Sequence, residues 1–347
     1  MDTRDTPEQA ELRRSARQLV RRLGPATVAE LDDATRAKRL AVAVREAGWL
    51  ELRDDAGSGE PLAGGVEAAI VADALGESVA DAAFTGPLLA RELARRAGLG
   101  PSDGVVVAFS PALTGAAVVS GSTTTTEVFA VDSGDESIDA AYVLVPEGPG
   151  HRLARVRVDG ARGGTDLTRG VRLIPAGTPV ETVAGQPRLL TDDDLAEWTA
   201  LGLALTSADL VGVMRGVLDV TVAYAAERRQ YGVPIGSFQA VQHLLAEARC
   251  LMEGSLSVSL HASWAVDNLP ATEARAAGRV AKAYCARAAR TVCETAVQVH
   301  GGIGNTWECV AHVYLRRALL SSQWFGDAEE QLFELQQERL GAVDGLL

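Results

Sequence analysis

The sequence predicts an α+β protein in several layers: an N-terminal helical domain (1–100), a small central β-barrel or sandwich (101–188) and a C-terminal helical bundle (189–347). Three observations carry this. Apolar residues recur at helical spacing through the first hundred positions. At Gly100-Pro101 they give way to short β-branched runs separated by Gly, Pro, Ser and Asp. From Asp192 long alanine-rich helical patterns return and run nearly to the end.

Each element has a local cause. "PEQAELRRSARQLVRRL" sets Leu12, Ala16, Leu19 and Leu23 on one helical face, and Gly24-Pro25 stops it. Two further helices run through "DDATRAKRLAVAVREAGWLEL" and "GGVEAAIVADALGES". A fourth opens at Pro87, a residue suited to a first turn. Between 104 and about 185, runs such as "GVVVAF", "TTTTEVFAV" and "AAYVLVP" alternate with turn signals roughly every ten residues, as in a compact β-domain. Thr191 or a following Asp caps the next helix. Helices are expected over 192–228, 237–268, 271–299, 306–321 and 327–341. No internal repeat or low-complexity tail is present.

Composition narrows the function. The 347 residues are 47% hydrophobic and 23% charged, ordinary for a globular protein. Aromatics are only 5%, so small residues dominate and helices can approach closely. A net charge of −13 argues against nucleic acid or an anionic membrane as partner. Neither a signal peptide nor a run of 18 apolar residues is seen, and a cytoplasmic location is expected. Cys250, Cys285, Cys293 and Cys309 form no CxxC pair, so they are expected to be buried thiols rather than zinc ligands or disulfides.

Two stretches carry the chemistry. "ERRQYGVPIGSFQAVQHLLAEA" (227–248) resembles the R-x-x-F/Y-G-x-x-I-x-x-F-Q-x-x-Q-x-x-L-A signature of the acyl-CoA dehydrogenase family. "QVHGGIGNTWE" (298–308) resembles that family's second C-terminal signature, at the expected separation. The helix–strand–helix order and "REAGWLEL" near residue 50 agree. The resemblance implies an acyl-CoA dehydrogenase-like fold whose C-terminal domain is a four-helix bundle that forms the oligomer core.

A physical reading stands beside the resemblance. Arg228 offers a planar fork that can grip a pyrophosphate bidentately. Gln239, one turn into a helix, can meet ribityl or ribose hydroxyls, and Gly301-Gly302 let backbone approach a ligand. The resemblance further implies that Arg228, Gln230, Tyr231, Phe238, Gln239, Gln298, Gly301 and Gly302 contact the ADP half of an FAD held mainly by a neighbouring subunit.

The pattern then departs from the family. The T-E-P-x-x-G-S-D-like loop and W-I-T-N-G-like strand that cradle a flavin ring are missing from "VVVAFSPALTGAAVVSGSTTTTEVFAV". Ser110 and Thr114 are poor substitutes. The usual catalytic glutamate falls on Phe325, with the family glycine kept as Gly326. The alternative glutamate position, 26 residues before Arg228, falls on Gly202. No residue is therefore assigned as the base. Glu197 and Asp209 lie off the second position, and Asp327 reads as a helix cap. Glu308 reads as structural, and His243, His300 and His312 as packing or hydrogen-bonding within helices.

This pattern is similar to the smaller subunits of actinobacterial two-gene acyl-CoA dehydrogenases, including those acting on steroid side-chain CoA thioesters. It implies an α2β2 complex with a homologous catalytic subunit, a shared FAD, an acyl-CoA substrate and electron-transfer flavoprotein as acceptor. A homo-oligomeric flavoenzyme with a relocated base, and a flavin-free scaffold or acyl-CoA-binding protein on the same fold, are the competing expectations.

Overall fold

The structure is a computed structural model, described here for residues 3–57, 59–160 and 163–344. Helix α1 (Pro7–Leu23) starts on a capping box in which Thr6 and Gln9 exchange side-chain and backbone hydrogen bonds, with Pro7 in its first turn. Asp33 caps α2 (Ala34–Glu46) by accepting from the Thr35 and Arg36 amides. Gly48, at φ 70°, then turns the chain so that Trp49 is buried. Helices α3 (Gly65–Glu77) and α4 (Thr85–Arg96) are buried almost all round. In α3 mostly small and apolar residues fill the buried faces, whereas α4 buries Arg91, Glu92 and Arg96 as ion-pair partners.

Six strands follow: β1 (Val105–Phe109), β2 (Val128–Val131), β3 (Ala140–Glu147), β4 (Gly150–Arg157), β5 (Val171–Ile174) and β6 (Val180–Thr182). They form one mixed sheet in the order β5-β2-β1-β3-β4-β6, antiparallel except for the β1–β3 pair. Strand β1 is buried on both faces. Val106 and Ala108 enter the core of the curled sheet, while Val105, Val107 and Phe109 face the helices. Through Phe109 the sheet reaches the site described below.

The C-terminal bundle is built on α5 (Asp192–Glu227), a 36-residue helix opened by a Thr191–Asp194 capping box. Long and apolar enough to cross a membrane, α5 instead has 94% of its most apolar stretch buried inside the protein. It packs with α6 (Gln239–Asn268), α7 (Ala271–His300) and α8 (Ala311–Gln323), while α9 (Ala328–Asp344) packs on α7. The expected helix from 306 begins only at Ala311. Residues Gly301–Asn305 form a tight turn, and Thr306 is extended with its hydroxyl donating back to Ile303 O, which spends the segment on local bonds.

Glycines set the spacing of α3 and α5. A Cβ at Gly212 or Gly216 would overlap the Asp73 or Glu77 carbonyl oxygen, and one at Gly76 would overlap that of Asp209. The two backbones touch there. Gly212→Ala is expected to cost about 2–3 kcal/mol by overpacking, read as a lower denaturant midpoint. Gly115→Ala, whose Cβ would meet nothing, should stay within about 0.5 kcal/mol.

Candidate cofactor face and the filled base position

Gly202 lies on α5 and Phe325 in the turn between α8 and α9, yet the fold brings the two to one point. A Cβ on Gly202 would overlap the Phe325 ring at Cζ. A glycine inside a helix normally costs about 1 kcal/mol against alanine; here it makes the room the ring occupies. The Phe325 ring packs 5.1 Å from Phe109 edge-to-face and 5.1 Å from Trp198, with Trp324 5.8 Å from Phe109. All four aromatics are fully buried. Trp198 Nε1–H donates to Leu89 O at 3.0 Å, which fixes its indole.

The turn that delivers Phe325 is held from three sides. Phe325 N–H donates to Leu113 O at 2.8 Å, in the loop after β1, and Gln331 Nε2 donates to Phe325 O at 2.6 Å. Phe325 and Leu113 both sit at positive φ, 70° and 57°, a conformation that side chains adopt only under tertiary constraint. Buried Lys282 donates to Trp324 O at 2.5 Å and also to Ser321 O; burial pushes its ammonium down to about 7. Helix and sheet therefore meet in direct aromatic contact at the place where the two family base positions coincide. That space does not fit an isoalloxazine ring.

The nearby acids are otherwise engaged. Asp209 is buried and paired with Arg169 at 2.6 Å and Arg317 at 2.7 Å, with Ser321 Oγ donating at 2.7 Å. Burial alone would raise its pKa, but the two guanidinium charges outweigh burial and hold it below the usual carboxylate range. A carboxylate stabilised in this way is a weak base. Glu197 pairs with Arg96. Asp327 accepts from the Glu329 and Glu330 amides at 2.9 Å each, capping α9. Glu308 is exposed and makes no hydrogen bond or ion pair among the described residues, so its structural reading has no contact behind it.

His300 is buried, its Nδ1 2.8 Å from Ala296 O, and His312 packs edge-on to Trp307 at 5.2 Å. His243 differs from expectation: it is exposed on the first turns of α6, which face solvent. The thiols differ in one member. Cys285, Cys293 and Cys309 are buried, whereas Cys250 sits on the outer face of α6 and is exposed.

The two signature stretches come together at one end of the bundle. Arg229–Gln230 and Val233–Pro234 form a hairpin whose turn residues Tyr231 and Gly232 sit at φ 52° and 82°, the geometry of a type I′ turn. It joins the end of α5 to the start of α6. Tyr224, one turn before that end, stacks on His300 at 4.4 Å and so ties α5 to the end of α7. Around this junction Arg228, Gln230, Tyr231, Phe238, Gln239, Gln298, Gly301 and Gly302 are all exposed. Phe238 packs edge-on to Tyr231 at 6.4 Å.

The side chains of Arg228, Gln230, Gln239 and Gln298 make no hydrogen bond or ion pair among the described residues. A Cβ on Gly301 or Gly302 would meet nothing. One guanidinium, three amides, two aromatic faces and bare backbone suit the phosphates, ribose hydroxyls and adenine of an ADP moiety. The ADP half of FAD fits this face; the ring half does not fit the aromatic cluster.

The aromatic neighbours Phe109 and Trp198 are absent from the sequence reading. Trp198 lies one turn before Gly202 on the same helical face, a spacing that pointed to shared packing. Phe109 gave no signal, because only the fold places β1 beside α5.

Over its whole length the chain has the architecture of solved acyl-CoA dehydrogenase-type proteins. It superposes on a chain of the ChsE4-ChsE5 complex from Mycobacterium tuberculosis with a TM-score of 0.77 and 23% identity, covering 98% of this chain and 99% of that one. For the Tcur3481-Tcur3483 steroid ACAD, G363A variant, the TM-score is 0.76 at 22% identity, covering 97% and 99%. At such identities the likeness is one of fold.

Sequence adds a match for the C-terminal domain. Residues 200–339 match the family described as "Acyl-CoA dehydrogenase, C-terminal domain". The chain is 36% identical over 157 residues to the acyl-CoA dehydrogenase IpdE2 of Mycolicibacterium smegmatis, covering 45% of this chain and 47% of that protein. It spans less than half the length of such curated relatives. The protein carries an acyl-CoA dehydrogenase C-terminal domain within a chain of acyl-CoA dehydrogenase fold.

Two outcomes test the geometry. Phe325→Ala should lose about 3–5 kcal/mol of stability by leaving a cavity, seen in chemical denaturation. Asp209→Asn should cost about 3–5 kcal/mol near neutrality, since Arg169 and Arg317 lose their partner. Because the folded carboxyl is depressed, its contribution is present above the unfolded value of 3.8 and is lost as pH falls through the folded one. The variant's acid-unfolding curve should therefore be flatter below that value.

Proposed function

We propose that this chain is the non-catalytic subunit of a heteromeric FAD-dependent acyl-CoA dehydrogenase, in which a homologous partner supplies the base and holds the flavin ring. The observation that carries the reading is the Phe325 ring seated on Gly202. Both positions at which the family resemblance expects a glutamate converge there, and a hydrocarbon ring fills the point. Proton abstraction needs a carboxylate within hydrogen-bond reach of the substrate. The acids of this region are consumed by ion pairs and a helix cap.

This chain's own contribution is positional. Arg228 would grip the pyrophosphate of the partner's cofactor, Gln230, Gln239 and Gln298 its ribose and adenine edges, and Gly301-Gly302 would give it backbone. FAD, when bound, would supply a hydride acceptor for the acyl group, and Arg228 with the three glutamines of this chain would hold its far end. Two of the fold's solved neighbours are themselves complexes named for two proteins, and one is called a steroid ACAD. That supports a homologous partner chain and a bulky, polycyclic acyl-CoA as substrate, with electron-transfer flavoprotein as acceptor for the complex. A filled second pocket leaves room for one large acyl group per pair.

Flavin content of the purified chain, alone and co-expressed with a full-length homologue from the same genome, tests this. One FAD per two chains, only in the complex, is expected. Arg228→Ala in that complex should weaken FAD retention by about 1.5–3 kcal/mol, roughly 10- to 150-fold, without unfolding either subunit. Stoichiometric FAD on the chain alone would overturn the reading in favour of a homo-oligomer. A stable complex without flavin would favour a scaffold.

A further inference from the structure

Helix α1 carries five arginines between positions 13 and 22, set in two parallel rows. Arg13, Arg17 and Arg21 repeat at four-residue spacing on one line. Arg14, Gln18 and Arg22 repeat on the line beside it. Each row is about 12 Å long at the helical rise.

The first row is fixed from beneath. Arg13 bonds Asp5 at 2.7 Å and reaches Asp73 at 3.4 Å. Arg17 lies 2.8 Å and Arg21 2.6 Å from Glu77, and Arg215 of α5 meets Asp73 at 2.5 Å. The Asp73 and Glu77 side chains, on α3, are only 7% and 4% exposed. Guanidiniums held by buried carboxylates are already ordered, so a further ligand costs them little freedom. The second row is freer. Arg14 pairs with Glu11 one turn away, and Gln18 and Arg22 make no hydrogen bond or ion pair among the described residues.

Charge does not balance here. Arg13, Arg14, Arg17, Arg21, Arg22 and Arg215 bring six positive charges, against four negative ones from Asp5, Glu11, Asp73 and Glu77. An excess of two cations thus stands on a chain whose net charge is −13. The five α1 arginines also line a groove of 710 Å³, together with Asp5, Ala10 and Gln18. A concave surface of one sign focuses the field on a small anion, and the excess equals the charge of one phosphate dianion.

We propose that the α1 groove binds an anion of two or more linked phosphate groups, inorganic or carried on a nucleotide. Each guanidinium has five N–H donors in a planar fork, and Arg21 spends one nitrogen on Glu77, which leaves the rest for phosphate oxygens. Arg22 and Gln18 supply donors from the second row, and the length of the rows suits a chain of phosphates rather than a single one. Arg215 precedes Arg228 by about 20 Å along α5, so the groove is separate from the cofactor face and does not rest on the subunit reading.

Isothermal titration of the full-length chain with sodium pyrophosphate, at constant ionic strength, tests this. One pyrophosphate per chain is expected. Arg21→Ala and Arg22→Ala should each weaken it about tenfold, since each removes charged donors. Arg22 makes no contact to lose, so its variant keeps the fold. Arg290→Ala, an exposed arginine paired with Glu294 on α7, should change nothing. ADP that displaces pyrophosphate and responds equally to Arg22→Ala identifies a nucleotide as the source; ADP that does not displace it identifies free oligophosphate, and either supports the site. Absence of pyrophosphate binding overturns the proposal, as does an equal loss in Arg290→Ala, which would mark unspecific attraction. Loss in Arg228→Ala but not in Arg22→Ala also overturns it, by moving the ligand to the cofactor face, and leaves the subunit reading standing.

Discussion

The buried contact of Asp209 with Arg317 and Arg169 is the constraint on which the rest of the site depends. Arg317 also donates to Ala80 O at 2.7 Å and to Thr168 Oγ1 at 3.1 Å, so one guanidinium joins the chain after α3, a loop of the β-domain, α5 and α8. Arg169 adds a second cation over the Trp324 ring, 5.6 Å from its centroid. A buried pair of this kind is costly to assemble and costlier to break, because removing one member strands charge in a medium that cannot solvate it. It adds little net stability, but it determines where α8 ends and how the following turn enters the core.

From that anchor the aromatic cluster follows. The α8–α9 turn is drawn inward, Phe325 is held at positive φ, and its ring enters the gap that Gly202 leaves on α5. Phe109 closes the gap from the sheet side. A catalytic carboxylate at either position would face a wall of hydrocarbon here, and its desolvation would be uncompensated. Hydrocarbon packing, not a polar group, fills this point between α5, the sheet and the α8–α9 turn.

The opposite end of the bundle has kept its polar character. Arg228 and the three glutamines face outward unengaged, on a surface that also exposes Tyr231 and Trp307. Exposed aromatics beside free hydrogen-bonding groups are the usual composition of a surface completed by something else. One chain thus combines an interior point filled by aromatic packing with an open, unengaged polar face.

The sequence by itself determined a good deal. Helix periodicity, the Thr191 cap and the β-branched runs gave the order of elements, because these are local effects written in neighbouring residues. The two signature stretches gave the resemblance and a set of residues that the fold gathers, exposed, at one end of the bundle, since each motif is contiguous. Counting from them gave Phe325 and Gly202 as separate positions. Tertiary structure alone decided that these two are one place, that Phe109 and Trp198 complete it, and that Asp209 is an ion-pair partner rather than a free acid. It also decided that Cys250 and His243 face solvent and that α8 starts at Ala311. Each of those depends on contacts between residues far apart in the chain, where burial and charge are set by packing and no local pattern records the neighbour.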